Sequence, residues 1–260
     1  LNNSETAFMF ETDSPDYDIE VRFFTPTTEV PICGHATIAA HYVRAKERNM
    51  EGGTVVQKTK AGILPVEVVR TLSDYSITMT QGTPAVSAPF GDAVRERIAD
   101  ALGIAHEELC REYPVAVAST GHSKVMVPLY SNELLHGLRP DLQKLTKISK
   151  QIECNGYYVF TLNPQNKILV HGRMFAPAIG IAEDPVTGNA NGPLGAYLVH
   201  FNILQEEDAP CFDFDILQGE AIKRDGTMHV HVEKEHGAPK LVQITGNAVI
   251  AFSTEITICL

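Results

Sequence analysis

Two stretches of the chain are apolar on nearly every helical face. In the first, Ile38, Ala39, Ala40, Tyr42 and Val43 leave little polar surface before Arg44-Ala45-Lys46-Glu47-Arg48. In the second, Leu194, Ala196, Tyr197, Leu198, Val199 and Phe201 do the same. A helix that is apolar all round is a buried one. Pro193 fits the first turn of the second helix, where its missing N–H removes no bond. Short runs rich in β-branched residues flank each helix, so the pattern predicts a sheet wrapped about a central helix, once in each half. Two further helices are predicted. Phe90–Gly103 is amphipathic, behind Pro84 and Pro89, and Leu138–Ile152 carries Lys144, Lys147 and Lys150 on a solvated face.

The order of these elements repeats. Val21-Arg22-Phe23-Phe24-Thr25-Pro26 has the form of Gly172-Arg173-Met174-Phe175-Ala176-Pro177: an Arg, two apolar residues, a small residue, Pro. An irregular stretch follows each, then a Gly-containing turn into the buried helix: Cys33-Gly34-His35-Ala36-Thr37 in one half, Asp184 through Asn191 in the other. Two copies make two related modules, not a solenoid. The expected organisation is an N-terminal domain over residues 1–88, a connecting helical region over 89–112, a C-terminal domain over 113–248, and a last strand over 249–260 returning to the first domain.

Composition narrows the class. With 260 residues, 44% hydrophobic and 20% charged, the chain is globular and large enough for a proper core. A formal net charge of −11 makes it a poor partner for nucleic acid or an anionic membrane. No apolar run approaches the roughly 20 residues that span a bilayer. The five cysteines are widely spaced and include no CxxC, which argues for a reduced, cytoplasmic protein without a zinc knuckle. The chain opens at Leu1 with neither an initiator Met nor a signal-peptide pattern.

The strongest chemical signal is the pair of Gly-rich turns entering helices. Helix N-termini present unpaired N–H groups and a positive dipole end, which together favour an anion. Gly34-His35 and Gly188-Asn189 are therefore candidates to face one cleft and hold a small carboxylated molecule, against the plainer reading of two ordinary starts of buried helices.

Ser4-Glu5-Thr6-Ala7-Phe8, FFTPTTEVPICGHAT and EDPVTGNANG resemble three signature stretches of the PhzF-like family of phenazine-biosynthesis isomerases. The resemblance runs essentially from Leu1 to Leu260, through TGHSKVMVPL and GRMFAPAIG, and is greatest to the YddE-type uncharacterised isomerases, whose second motif reads GNANG. It implies an α+β fold of the diaminopimelate-epimerase type, two pseudo-symmetric domains each with a curved mixed sheet around a central helix. It also implies a homodimer, an active site between the domains, and neither metal nor organic cofactor. Glu5 matches the family glutamate that moves a proton within a small carboxylated ring substrate, His35 the GH histidine and Asp184 the DPVTG aspartate. A carboxyl group withdrawn from water can take and return protons near neutrality. Gly34, Gly188, Asn189 and Cys33 would contact the substrate. Asn189 stands where the phenazine enzyme has Ser, which puts dihydro-hydroxyanthranilate in doubt as substrate. The family pattern also places Glu5 tens of residues into a typical member, so about 40 residues of opening strands are expected upstream of Leu1.

Distant racemases of this fold use two opposed thiols. Here the first is Cys33 and the corresponding second position is read as Asp184, so two-thiol epimerisation is not expected, and Cys33 also reads as a small buried apolar residue. Rival functions are a small-anion binding protein without turnover, and an amino-acid epimerase using Glu5 with Cys33. His229, His231 and Glu233 share one face of a strand, a zinc-like spacing that is read as a solvated sheet face. Gly121-His122-Ser123-Lys124 lacks P-loop spacing and carries no nucleotide site.

Overall fold

The structure, a computed structural model, describes residues 5–204 and 209–255. The chain divides into two compact units, Leu1–Met79 with Thr245–Leu260, and Thr80–Ile244. Among the described residues no helix is long and apolar enough to cross a membrane.

In the first unit, β1 (Thr6–Glu11) and β2 (Ile19–Phe24) pair antiparallel, with Thr6 opposite Phe24. Strand β2 takes a short antiparallel partner, β3 (Glu29–Val30), and pairs in parallel with β4 (Gly53–Thr59). A parallel step requires a crossover, and α1 (Gly34–Arg48) supplies it. β5 (Gly62–Arg70) and β6 (Tyr75–Thr80) follow as antiparallel neighbours. Helix α1 buries Ala36, Thr37, Ile38, His41, Tyr42 and Ala45 and stops at Asn49, which takes the left-handed conformation at φ 46°. Arg48 and Lys46 in its last turn suit the negative end of the dipole.

The second unit begins with β7 (Ala85–Val86), α2 (Asp92–Leu102), β8 (Ala116–Ser119) and β9 (Lys124–Pro128). Next come α3 (Asn132–Gly137), α4 (Leu142–Ile152), β10 (Tyr157–Leu162), β11 (Ile168–Ala176) and β12 (Ile181–Asp184). It ends with α5 (Gly188–His200), β13 (Cys211–Gln218), β14 (Gly226–Glu235) and β15 (Ala238–Gly246). The strand order is β7-β8-β9-β10-β11-β13-β14-β15, with β12 on β11. From β10 onward the first unit's plan recurs: an antiparallel pair with Tyr157 opposite Phe175, a short antiparallel partner, a helix, a parallel strand, then antiparallel strands. The α+β class and the helix at the centre of each half, expected from the sequence, are both present.

One predicted helix starts later than expected, and the short α3 before it was not foreseen. Leu138–Arg139 stay outside the helix because Pro140 disfavours helix at the residue before it, and Asp141 starts α4 by accepting from Gln143 N and Lys144 N, each at 3.0 Å. Helix α2 lies within the second unit, where Ile98 and Leu102 pack with Leu145, Ile148, Val125 and Tyr157. Residues 249–255 carry no strand, and 256–260 lie outside the described residues.

Each half also contains the same ion pair. Arg22 on β2 forks onto Glu29 of β3 at 2.8 and 3.0 Å, and Arg173 on β11 forks onto Glu183 of β12 at 2.9 and 2.8 Å. Arg22 and Lys60 together hold the Glu29 carboxyl down at about 2.

Candidate active site

Glu5 directly precedes β1, and Cys33 is the N-cap of α1, in extended conformation and without a side-chain cap bond. The Thr37 hydroxyl donates to the Cys33 carbonyl at 2.7 Å and fixes the entry of the chain into the helix. Side chains of a helix lean toward its N-terminus, so His35 turns back over Cys33. The result is a three-residue cluster. Cys33 Sγ donates to Glu5 Oε2 at 2.9 Å, His35 Nε2 lies 3.2 Å from the same oxygen, and both ring nitrogens of His35 are 3.6 Å from Sγ. Cys33 is buried, the Glu5 side chain is 16% exposed and that of His35 is 41% exposed. Glu5 is thus a mostly covered carboxylate with a thiol donor on one side and an imidazole, open to water, on the other. Such a group can accept a proton, and the imidazole can pass one to solvent. Ser4 lies outside the described residues.

In the second unit, Asp184 ends β12 and Thr187 is the N-cap of α5. The Thr187 hydroxyl donates to Asp184 Oδ2. Beneath them the fully buried Gln218 ties the turn together. Its Nε2 donates to the Asp184 carbonyl at 2.8 Å and to Thr187 Oγ1 at 3.0 Å. Its Oε1 accepts from Thr187 N at 3.1 Å and Asn191 Nδ2 at 2.9 Å. Gly219 follows at φ +94°, and a Cβ there would lie 2.4 Å from the Arg224 carbonyl oxygen and 2.7 Å from that of Pro185; only glycine fits.

The caps correct one equivalence. Cys33 and Thr187 hold the same place in the repeat, since Thr37 and Asn191 each bond back to the cap carbonyl four residues earlier. The counterpart of the first thiol is therefore Thr187, not Asp184. Thr187 offers no thiol, and its hydroxyl is taken up by Asp184 and Gln218. Among the described residues the backbone N–H groups of Gly34, His35, Gly188 and Asn189 have no partner, nor does the Asn189 side chain. Those are the donors an anion would use.

Lys124 was passed over in the sequence because its surroundings are not those of a P-loop. It is 7% exposed, its Nζ donates to the Ser123 carbonyl at 3.2 Å, and its chain lies over Gly156, where a Cβ would come within 2.4 Å. Burial pulls its amine below the ordinary lysine value, against the opposing charge of Cys154 and Asp184. A buried cation next to the DPVTG aspartate cannot be read from spacing, since 60 residues of chain separate the two. Three groups among the described residues bring metal-ligating atoms within 4.8 Å of one another: Glu5, Cys33 and His35; His136, His171 and Glu220; and Cys211, Asp213 and His231.

Residues 1–254 match the family described as phenazine biosynthesis-like protein. An uncharacterized isomerase of Clostridium acetobutylicum is 52% identical, over 99% of this chain and 85% of its own. The uncharacterized isomerase YddE of Escherichia coli is 48% identical, over 98% of this chain and 84% of its own. The trans-2,3-dihydro-3-hydroxyanthranilate isomerase of Pseudomonas fluorescens is 29% identical, over 96% and 82%. Among solved structures, the PhzF-family phenazine biosynthesis protein of Bacillus anthracis is similar at TM-score 0.87 and 30% identity, over 99% of this chain and 86% of that one. The chain belongs to the phenazine biosynthesis-like family and is one of its isomerases. Epimerase structures of lower identity share the fold.

Proposed function

We propose that the protein moves a proton within a small carboxylated substrate by general acid–base catalysis, without an organic cofactor, and that Glu5 is the group that carries it. The observation behind this reading is the position of one oxygen: Glu5 Oε2 meets a buried thiol at 2.9 Å and a half-open imidazole at 3.2 Å. The carboxylate takes a proton from a carbon activated by the substrate's conjugation and returns it to another, while the electron pair left behind shifts through the double bonds. Cys33 and His35 hold the Glu5 carboxyl group in position through that oxygen. The amides of Gly34 and His35 offer donors to a substrate carboxylate at the start of α1; at the start of α5, Gly188, Asn189 and Asp184, steadied by Thr187, offer donors and a carboxylate to a polar group. Asn189, with a donor and an acceptor, selects a substrate different from that of the Pseudomonas fluorescens relative.

The test is hydrogen exchange in deuterated water with a panel of small unsaturated carboxylic acids and amino acids. Deuterium is expected at carbon in at least one, and Glu5→Gln, which keeps the side-chain shape, should slow that exchange by about 10²–10⁴-fold. Exchange that survives Glu5→Gln assigns the base elsewhere; binding without exchange across the panel makes the protein a binder. A second reading, an amino-acid epimerase using Glu5 with Cys33, requires the two groups to part around the substrate, since at 2.9 Å they cannot stand on opposite faces of one carbon. Loss of exchange in Cys33→Ser supports that version, and full activity in Cys33→Ser dismisses it.

A further inference from the structure

The outer face of the β13–β14 hairpin holds more than the alternating histidines seen in the sequence. Register places Asp213 opposite His231, Asp215 opposite His229 and Cys211 opposite Glu233, while Phe214, Ile216, Val230 and Val232 point the other way into the core. Nitrogen, oxygen and sulfur donors of two strands therefore share one face. They also converge. Asp213 Oδ1 is 2.7 Å from His231 Nδ1 and 3.1 Å from His229 Nε2, and Cys211 Sγ lies within 4.8 Å of the ligating atoms of both Asp213 and His231. The remaining nitrogen of His229, Nδ1, is 2.8 Å from Asp215 Oδ1. An outer carboxylate that orients an imidazole toward a central point is the usual support of a metal-binding histidine.

We propose that this face is a binding site for a divalent transition metal of the zinc type, with Cys211, Asp213 and His231 Nδ1, whose ligating atoms lie within 4.8 Å of one another, as the core ligands, and His229 Nε2, next to Asp213 and oriented by Asp215, turning in as the fourth. Zinc bonds of about 2.0–2.3 Å in a tetrahedron set neighbouring ligand atoms about 3.3 Å apart. The two imidazole–carboxylate separations, 2.7 and 3.1 Å, are shorter than that, so rotations that open these surface side chains outward admit the ion. The donor set suits zinc or cobalt and, by the usual order of affinities, copper and nickel; it is wrong for magnesium and calcium, which want oxygen. Burial opposes ionisation of Asp213, but hydrogen bonds from His231, Cys211 and His229 outweigh it and keep the carboxyl below its ordinary range. Cysteine binds the metal as thiolate and histidine as neutral imidazole, so binding releases protons and weakens as pH falls. The site is independent of the isomerase chemistry and uses none of the residues assigned to it.

The experiment titrates the whole protein with Zn²⁺ by calorimetry and with Co²⁺ by absorption, using Mg²⁺ as the control. A single saturable Zn²⁺ equivalent, no Mg²⁺ heat, and a thiolate-to-cobalt charge-transfer band are expected. His231→Ala and His229→Ala should each weaken Zn²⁺ by at least about tenfold and Asp215→Asn by about tenfold, while Cys211→Ser removes the cobalt–sulfur band; deuterium exchange with substrate stays unchanged in all four. The proposal is overturned if no saturable Zn²⁺ binding occurs, if the His229→Ala/His231→Ala double variant binds as the parent does, or if His171→Ala abolishes binding instead. A cobalt–sulfur band that persists in Cys211→Ser moves the thiolate ligand to another cysteine and overturns it equally.

Discussion

Arg22 and Arg173 hold the same place in the repeat and grip equivalent glutamates, yet their surroundings differ. Arg22 is 44% exposed, whereas Arg173 is 7% exposed and also donates to the carbonyls of Leu135 and Leu138. The helices diverge in the same sense. His41 of α1 is buried against Gln57, its Nε2 at 3.1 Å from Oε1, and the matching position of α5 is Gly195, where a Cβ would lie 2.8 Å from Val230 and from Val232. Helix α5 thus rests directly on its sheet, while α1 leaves room for an imidazole. At the helix starts the first copy gathers a thiol, a carboxylate and an imidazole, and the second an amide-and-hydroxyl lattice around Gln218. The repeat conserves topology; burial decides what each copy's side chains can do. Groups able to exchange protons occupy the more open copy, and groups that hold a shape occupy the sealed one.

Three measurements bear on that contrast. The largest effect is expected from Arg173→Ala, which leaves the covered Glu183 unpaired; removing one partner of a buried pair costs about 3–5 kcal/mol, read as a lower urea midpoint. A change within error would mean that water reaches the second pair as it does the first. Next is pH. Burial holds His41 at about 4, against an ordinary 6.5. Between those values the unfolded chain carries the extra proton, so stability is full above about pH 6.5 and declines as pH falls through 4, by about 3 kcal/mol in all. His41→Gln should flatten that part of the profile; an unchanged slope would place the acid sensitivity elsewhere. The smallest effect is expected from Arg22→Ala, because the Arg22 side chain is exposed and Lys60 still meets the covered Glu29 at 2.6 Å, so Glu29 is not left unpaired. Its urea midpoint should match the parent's, and a clear drop would show that the first copy depends on this ion pair as the second does.

Much of the framework was legible in the chain. The paired Arg-apolar-apolar-small-Pro runs mark β2 and β11, the two apolar helices mark the centres of the halves, and Phe90–Gly103 marks α2. Arg139-Pro140-Asp141 carries the signal for a helix start at Leu142, a proline followed by a cap residue, and the lysine periodicity masks it. Glu5 as a candidate came only from resemblance, because nothing local in Ser-Glu-Thr distinguishes a turn residue from a base. Its contact with Cys33 crosses 28 positions and its contact with His35 crosses 30, and only strand pairing brings them together. His229 and His231 were seen, but Asp213 was not joined to them, since cross-strand register is invisible from one strand alone. The same limit hid Gln218 beneath the Asp184 turn.

The hold on that turn has a consequence for how the family can diversify. Gly219 and Gln218 secure Asp184-Pro185-Val186-Thr187 through main-chain atoms and one buried amide, with no help from the side chain at 189. The side chain at position 189 is therefore free to change without moving its frame, whereas position 219 admits no alternative. A turn built this way accepts variation where the backbone asks for nothing and forbids it where the backbone asks for everything.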